Sequence, residues 1–150
     1  MSEERDQNLP RVLIIDDSRM VRASIIRQVR GHFEVREEAD GEAGWQTLLV
    51  DPTIQAVITD IGMPRLDGYG LLERMRASRL SRINTLPVVV ISGDDEPEVR
   101  IRADIGHEQR VLDILPISLG QVVLSENVEQ GLAEGVRAVR QARLQTGHAR

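Results

Sequence analysis

The chain has 150 residues, about one domain's worth, and its 19 basic residues are all arginine against 24 acidic residues, so its formal net charge is −5. The absence of Cys excludes disulfides and thiolate metal sites, and the absence of Lys excludes Schiff-base and lysine-base mechanisms. No apolar run approaches the ~18 residues of a membrane span, residues 1–10 do not fit a secretory signal, and the acidic balance disfavours nucleic acid as the main partner. These features favour a cytoplasmic globular protein.

Short apolar runs alternate with helical patterns along the chain. Ser18 is a helix N-cap candidate, followed by Val21, Ile25 and Val29 at the i, i+4, i+8 spacing of a helix face, with Gly31 as a stop signal. The same alternation continues to about residue 103, after which the pattern is less regular. The predicted strands are 12–15, 33–36, 56–59, 88–91 and 111–115, and further predicted helices are 42–49, 69–77, one near Pro97, and one from 128 to about 144.

Strands that alternate with helices predict βαβ units and a parallel sheet, in which ligands bind beyond the carboxyl ends of the strands. We expect a polar, disordered segment over 1–10, one domain over 11–144, and a tail or linker over 145–150. The last predicted helix carries Arg137, Arg140 and Arg143, which form either a solvated face or a contact to an acidic partner or to a nucleic acid.

Three acids follow predicted strands. Asp16 and Asp17 come after the first apolar run, and Asp60 comes after the third. If these two strands are adjacent, the carboxylates converge on one pocket, where they repel each other. Mg²⁺ relieves this repulsion and prefers oxygen ligands, so we expect a magnesium site rather than three separate helix caps.

Several short motifs in order resemble the receiver domain of bacterial two-component response regulators. They are Ile14-Ile15-Asp16-Asp17-Ser18, Ala39-Asp40-Gly41-Glu42-Ala43, Asp60-Ile61-Gly62-Met63-Pro64, Asp67-Gly68 and Ile91-Ser92-Gly93. The resemblance covers about Val12 to Ala103. It implies the α/β flavodoxin-like (βα)₅ fold, a doubly wound parallel sheet with strand order 2-1-3-4-5.

The resemblance also implies a role for each matching residue. Asp60 is the phosphoacceptor and Ser92 hydrogen-bonds the phosphoryl group and senses it. Asp17, Asp60 and the backbone carbonyl of Gly62 ligate Mg²⁺, and Asp16 acts through a bound water. The residues that shape the surrounding loops are Met63, Pro64, Asp67, Gly68 and Gly93, with Gly68 structural rather than chemical. The implied donor is a sensor histidine kinase or a phosphotransfer protein, and a downstream output domain and a homodimer are further expected partners.

The carboxyl-terminal part departs from the family. Receivers carry a Lys before a Pro after the fifth strand, and here the corresponding pair is Leu115-Pro116. The aromatic switch position holds Leu112, and Arg110 is a weak candidate to replace the Lys because it precedes the strand. Either the receiver is degenerate or another group does the work of the Lys.

Three functions therefore compete. The leading one is a phosphoacceptor signalling domain, which promotes its own Mg²⁺-dependent phosphorylation and dephosphorylation without being a classical enzyme. The alternative is a degenerate receiver that acts as a phosphorylation-independent interaction module. A phosphohydrolase of the haloacid dehalogenase type is disfavoured, because Asp60 is followed by Ile61 and Gly62 rather than by a second acid two residues on.

Overall fold

The computed structural model describes residues 9–92 and the strand at 111–116. Five parallel strands form one sheet, with helices between the first four. The strands are β1 (Arg11–Ile15), β2 (Glu34–Glu38), β3 (Ile54–Asp60), β4 (Val88–Ser92) and β5 (Val111–Pro116), and the helices are α1 (Arg19–Val29), α2 (Gly41–Val50), α3 (Gly68–Ala77) and the short α4 (Ser81–Asn84).

The strand order is β2-β1-β3-β4-β5, as the resemblance implied, and the fold class is confirmed. The chain therefore reverses direction across the sheet between β1 and β3, which is where a doubly wound sheet opens its ligand crevice. Register runs from Ile15 opposite Thr59 to Asp60 opposite Ile91. Asp16, which directly follows β1, and Asp60, which ends β3, therefore lie side by side at the carboxyl edge of these neighbouring strands.

Two apolar clusters cover the two faces of the central strands. Alternate residues of β1 and β3 are buried against α1 on one face, and the intervening residues pack on the other face against α2 and α3. The residues Val12 to Ile15 all have 0% exposure, as expected for a strand buried on both faces. Burial of the strand bodies leaves only their carboxyl ends free to carry chemistry.

The helix boundaries follow the capping signals in the sequence. The side chains of Ser18, Asp40 and Asp67 accept hydrogen bonds from the backbone N–H groups of Val21, Ala43 and Gly70, and so cap α1, α2 and α3. The predicted strand and helix positions are confirmed within a few residues, with α4 as an addition. The expectations for residues 1–8, for the helix near Pro97 and for residues 121–150 lie outside the described residues.

Edge strand β2 is mostly polar, and ion pairs and hydrogen bonds add to its pairing with β1 and to the packing of Val35 on the core. Buried Asp51, just after α2, accepts hydrogen bonds from Arg11 on β1 (3.0 Å) and from Arg36 on β2 (3.4 Å). Glu38 accepts a hydrogen bond from the hydroxyl of Thr47 on α2 at 2.7 Å. Burial raises the pKa of Asp51, but the hydroxyl and backbone N–H of Thr53, together with Arg11, outweigh it and hold this pKa below its usual range.

Candidate functional site

Three carboxylates meet at the carboxyl edge of β1 and β3. Asp16 and Asp17 directly follow β1, and Asp60 is the last residue of β3. One carboxylate oxygen from each of the three lies within 4.8 Å of the others. Asp16 is 1% exposed, Asp60 is 9% exposed, and Asp17 is exposed. The sequence predicted this convergence, and the structure places all three acids together.

The two carboxylate oxygens of Asp16 differ in their hydrogen bonding. Oδ1 accepts a hydrogen bond from the backbone N–H of Ser18 at 2.7 Å, whereas Oδ2 is buried and lacks a hydrogen-bond partner among the described residues. Burial raises the pKa of Asp16 to about 6, and the neighbouring charges of Asp60 and Asp17 add to this effect. A buried, unpartnered carboxylate oxygen is costly unless a proton or a cation satisfies it.

Asp60 belongs to the same cluster of carboxylates and is more exposed than Asp16. Its Oδ1 accepts a hydrogen bond from the backbone N–H of Ile61 at 2.8 Å. Burial raises the pKa of Asp60, as does the charge of Asp17, while backbone N–H groups of Ile61 and Gly62 oppose the rise. The carboxylate is thus both partly desolvated and reachable from solvent.

The loop from β3 to α3 wraps around Asp60, and each of its predicted shaping residues has a different contact. Met63 is buried in the core, whereas Pro64 is exposed. Asp67 caps α3, and Gly68 donates its backbone N–H to the carbonyl of Ile61 at 2.9 Å. A Cβ at position 68 would overlap the backbone carbonyl of Asp60 and lie 2.8 Å from the Cα of Ile61. Gly68 is therefore needed for the close approach of α3 to the end of β3, which agrees with a structural role.

The donor set fits a hard divalent cation. The ligand atoms that Asp16, Asp17 and Asp60 offer are carboxylate oxygens, which hard cations prefer. A bound cation would also compensate for the burial of Asp16 Oδ2 without a hydrogen-bond partner among the described residues. Gly62 is exposed, and a Cβ there would meet no atom within 4 Å, so the backbone beside the acids is open. The three carboxylates can hold a metal ion.

The backbone register relates Leu115, where the resemblance implies a Lys, to Asp60. Asp60 on β3 pairs with Ile91 on β4, and Ile91 pairs with Leu115 on β5, so position 115 lies in the same row of the sheet as Asp60. Ser92 pairs with Pro116, one row further on. The register shifts at Leu112, since Val111 pairs with Val88 but Asp113 pairs with Val89. The side chains of Ser92 and Leu115, and all of Gly93 and Arg110, lie outside the described part of the chain.

Arg22 is a site neighbour that the sequence reasoning missed. Its Nη1 donates a hydrogen bond to the backbone carbonyl of Asp16 at 2.5 Å, and its Nε pairs with Glu37 at 3.1 Å. The contact fixes the turn that carries the acids. The only sequence signal is a cation one turn after the Ser18 cap, which many helices share.

Comparisons with known proteins agree with the fold. The chain matches the family model of the response regulator receiver domain over residues 12–112. Among curated proteins, two-component response regulator ORR11 of Oryza sativa is 36% identical over 91 residues, which cover 59% of this chain and 59% of that protein. The match thus spans about three fifths of that relative's own length.

Solved structures show the same architecture. A response regulator receiver protein from Pseudomonas putida superposes with a TM-score of 0.64 at 25% identity, covering 87% of this chain and 98% of that one. A CheY-like response regulator receiver domain protein from Methanospirillum hungatei superposes with a TM-score of 0.69 at 18% identity, covering 90% and 99%. In the part of the chain that is described, no helix is long and apolar enough to cross a membrane. The sheet order, the convergent acids and the family match together show that the chain belongs to the receiver domain family of two-component response regulators.

Proposed function

We propose that Asp60 accepts a phosphoryl group from a phosphohistidine of a sensor kinase or of a phosphotransfer protein. The observation that carries the proposal is the convergence of Asp16, Asp17 and Asp60 within 4.8 Å at the edge where ligands bind in this fold. In the reaction, a carboxylate oxygen of Asp60 bonds to phosphorus while the bond from phosphorus to the imidazole nitrogen breaks. The nitrogen keeps the electron pair, and the product is an aspartyl phosphate.

The other residues of the site would position Asp60 and stabilise its negative charge. The N–H of Ile61 fixes one carboxylate oxygen, which leaves the other to attack. Asp17, Asp60 and the backbone carbonyl of Gly62 would ligate Mg²⁺, with Asp16 acting through a bound water. The cation would supply neutralisation of the charge that gathers as anionic phosphate approaches anionic carboxylates. Ser92 would hydrogen-bond the phosphoryl group, with Gly93 leaving room for it.

The proposal extends to the context of the domain. The receiver domain occupies 11–144, preceded by a polar segment and followed by a tail or linker at 145–150. It works in the cytoplasm and passes its state to a downstream output domain, to a partner protein or to a second copy of the chain in a homodimer.

Incubation with acetyl phosphate and Mg²⁺ tests the phosphoacceptor role. We expect one alkali-labile phosphate per chain by intact-mass spectrometry, lost in Asp60→Asn and retained in Asp67→Asn, which removes an acid outside the pocket. Uptake that persists in Asp60→Asn would refute the assignment. Asp17→Asn should weaken Mg²⁺ binding strongly, and an unchanged affinity would remove the proposed metal site.

A second function is favoured by one observation, the absence of any Lys in 150 residues. Without that cation the domain would act as a degenerate receiver that binds partners regardless of phosphorylation. Failure of the wild-type chain to take up phosphate from acetyl phosphate, with Mg²⁺ binding intact, would favour this function over the first.

A further inference from the structure

Apolar side chains are exposed at the end of α2 and in the segment that leads into α4. Among the described residues, four large hydrophobic side chains are exposed, and three of them lie here: Leu49 (38%), Val50 (71%) and Leu80 (44%). Arg82 joins the two segments, because its guanidinium donates to the backbone carbonyls at the end of α2. The name basic apolar patch is used below for Leu49, Val50, Arg79, Leu80 and Arg82.

Hydrogen bonds hold the backbone of Leu80 in place. Its N–H donates to the hydroxyl of Ser78 at 3.2 Å, and its carbonyl accepts from the N–H groups of Ile83 and Asn84 at 2.9 and 3.0 Å. Helix stability does not favour an apolar residue here, because Leu80 is the N-cap of α4, where Ser, Thr, Asp and Asn are preferred. An exposed apolar side chain on a fixed backbone lowers the entropy cost of binding a partner.

The charge beside these apolar side chains is positive. Residues 74–93 include four arginines and no acidic residue. Arg79 is exposed and forms no ion pair or side-chain hydrogen bond with another described residue. The acid that directly follows α2, Asp51, is buried and accepts hydrogen bonds from two arginines outside the patch, so it does not offset this charge. A surface that combines apolar side chains with positive charge is complementary to an acidic amphipathic partner.

The basic apolar patch lies at the opposite edge of the sheet from the three clustered acids. The end of α2 leads into the start of β3 at Ile54, whereas Asp60 is the last residue of that strand. The seven residues of β3 span roughly 20 Å. A partner bound to the patch would therefore leave the acidic site open to a phosphoryl donor.

We propose that the basic apolar patch binds an acidic amphipathic helix of a partner protein, whether or not Asp60 is phosphorylated. The apolar face of that helix packs against Leu49, Val50 and Leu80, and its flanking carboxylates pair with Arg79. An anionic membrane is a poorer fit, because such surfaces are held by clusters of about four to eight basic residues and the patch contains Arg79 and Arg82 alone.

Selection from a peptide library tests the proposal. The probe is a phage-displayed library of amphipathic helices of about 16 residues, with Leu on one face and either Glu or Lys at each flanking position, presented to the full wild-type chain. We expect Glu to exceed Lys in the selected clones by at least about tenfold at low salt, and this preference to fall as salt is added. Beryllofluoride and Mg²⁺ should leave the affinity of a selected peptide unchanged.

Variants of the patch separate its apolar contacts from its charge. Val50→Ser combined with Leu80→Ser, and Arg79→Glu by itself, should each weaken a selected acidic peptide by at least about tenfold. Leu80→Ser should not lower the melting temperature, because Ser is a better N-cap than Leu. The matched control is Met20→Ser combined with Arg27→Glu, which changes an exposed apolar residue and an exposed arginine on α1 and should bind as the wild type does.

Several results would overturn the proposal. They are the absence of selected clones, a preference for Lys, binding that survives both patch variants, and an affinity that depends on beryllofluoride. Binding to vesicles of phosphatidylcholine and phosphatidylserine that the patch variants abolish, without any peptide binding, would replace the acidic helix with a membrane. A dimer in sedimentation velocity that dissociates in the Val50→Ser, Leu80→Ser variant would replace it with a second copy of the chain.

Discussion

Replacing Asp16 with Asn should stabilise the metal-free protein. Asp16 is 1% exposed, its Oδ2 has no hydrogen-bond partner among the described residues, and two further carboxylates lie within 4.8 Å. An Asn at this position keeps an oxygen for the N–H of Ser18, which Asp16 Oδ1 accepts at 2.7 Å. Its amide group can donate to the neighbouring carboxylates instead of repelling them.

The expected gain follows from the pKa of Asp16. Burial and the nearby charges raise this pKa from 3.8 to about 6, and each pKa unit corresponds to about 1.4 kcal/mol. Ionisation of Asp16 therefore costs the folded wild type on the order of 3 kcal/mol at neutral pH, and relaxation of the pocket makes this an upper value. Asn avoids that cost, so we expect a gain of about 1–3 kcal/mol in the free energy of unfolding at pH 7.

The pH dependence has a definite sign. Because the folded pKa is raised, the stability that protonated Asp16 contributes is fully present below pH 3.8 and is lost as the pH rises through about 6. The difference between Asp16→Asn and the wild type should accordingly be small near pH 4 and largest above pH 6. Saturating Mg²⁺ should narrow it, since a ligand at 100 times its Kd stabilises the folded state by about 2.7 kcal/mol.

Urea unfolding in EDTA, followed by the fluorescence of the single Trp45 between pH 4 and 7.5, measures these differences. Glu73→Gln is the matched control, because Glu73 is an exposed acid on α3 and its replacement should change stability by less than about 0.5 kcal/mol. An Asp16→Asn variant that is no more stable than the wild type at pH 7, or a difference that does not depend on pH, would refute the reasoning.

Three further changes test other contacts. Gly68→Ala should lower the free energy of unfolding by about 1–3 kcal/mol and weaken Mg²⁺ binding, because the new Cβ overlaps the carbonyl of Asp60. Gly62→Ala is its control in the same urea melts, because a Cβ at position 62 meets no atom within 4 Å. Asp51→Asn should lower the free energy of unfolding by about 1–3 kcal/mol at pH 7. Its difference from the wild type should shrink below pH 3.8, because protonation of the low-pKa Asp51 carboxylate then destabilises the wild type. A difference that stays constant from pH 2 to 7 would contradict this. Leu115→Lys should tighten beryllofluoride binding roughly tenfold, since position 115 shares a row of the sheet with Asp60. A large fall in melting temperature with no gain in binding would show that Leu115 does not face Asp60.

Much of the local structure could be predicted from the sequence. The apolar runs mark β1, β3 and β4, and the predicted cap at Ser18 is present in the structure. Those features depend on hydrogen bonds and side-chain periodicity over a few residues, which any chain with the same local pattern reproduces. The convergence of the acids was also predictable once strands one and three were taken to be neighbours, and the family resemblance supplied that order.

The helix α4 shows where local pattern was insufficient. It has only four residues, too few for an apolar periodicity, and its Leu80 N-cap makes no side-chain hydrogen bond. Its Arg82 donates to the backbone carbonyls of Leu48 and Leu49 at the end of α2, at 2.6 and 2.9 Å. That contact joins residues more than thirty positions apart, so nothing in the adjacent sequence indicates it.

The sequence alone determined the alternation of strands and helices, the caps, and which carboxylates stand at strand ends. Tertiary structure decided how those carboxylates differ. Pairing of β1 with β3 buries Asp16 and leaves one of its oxygens without a partner, while Asp17, the next residue, stays exposed. Pairing of β4 with β5, with a register shift at Leu112, brings Leu115 into the row of Asp60. Burial and register depend on contacts between distant segments, and these exist only after the whole sheet has assembled.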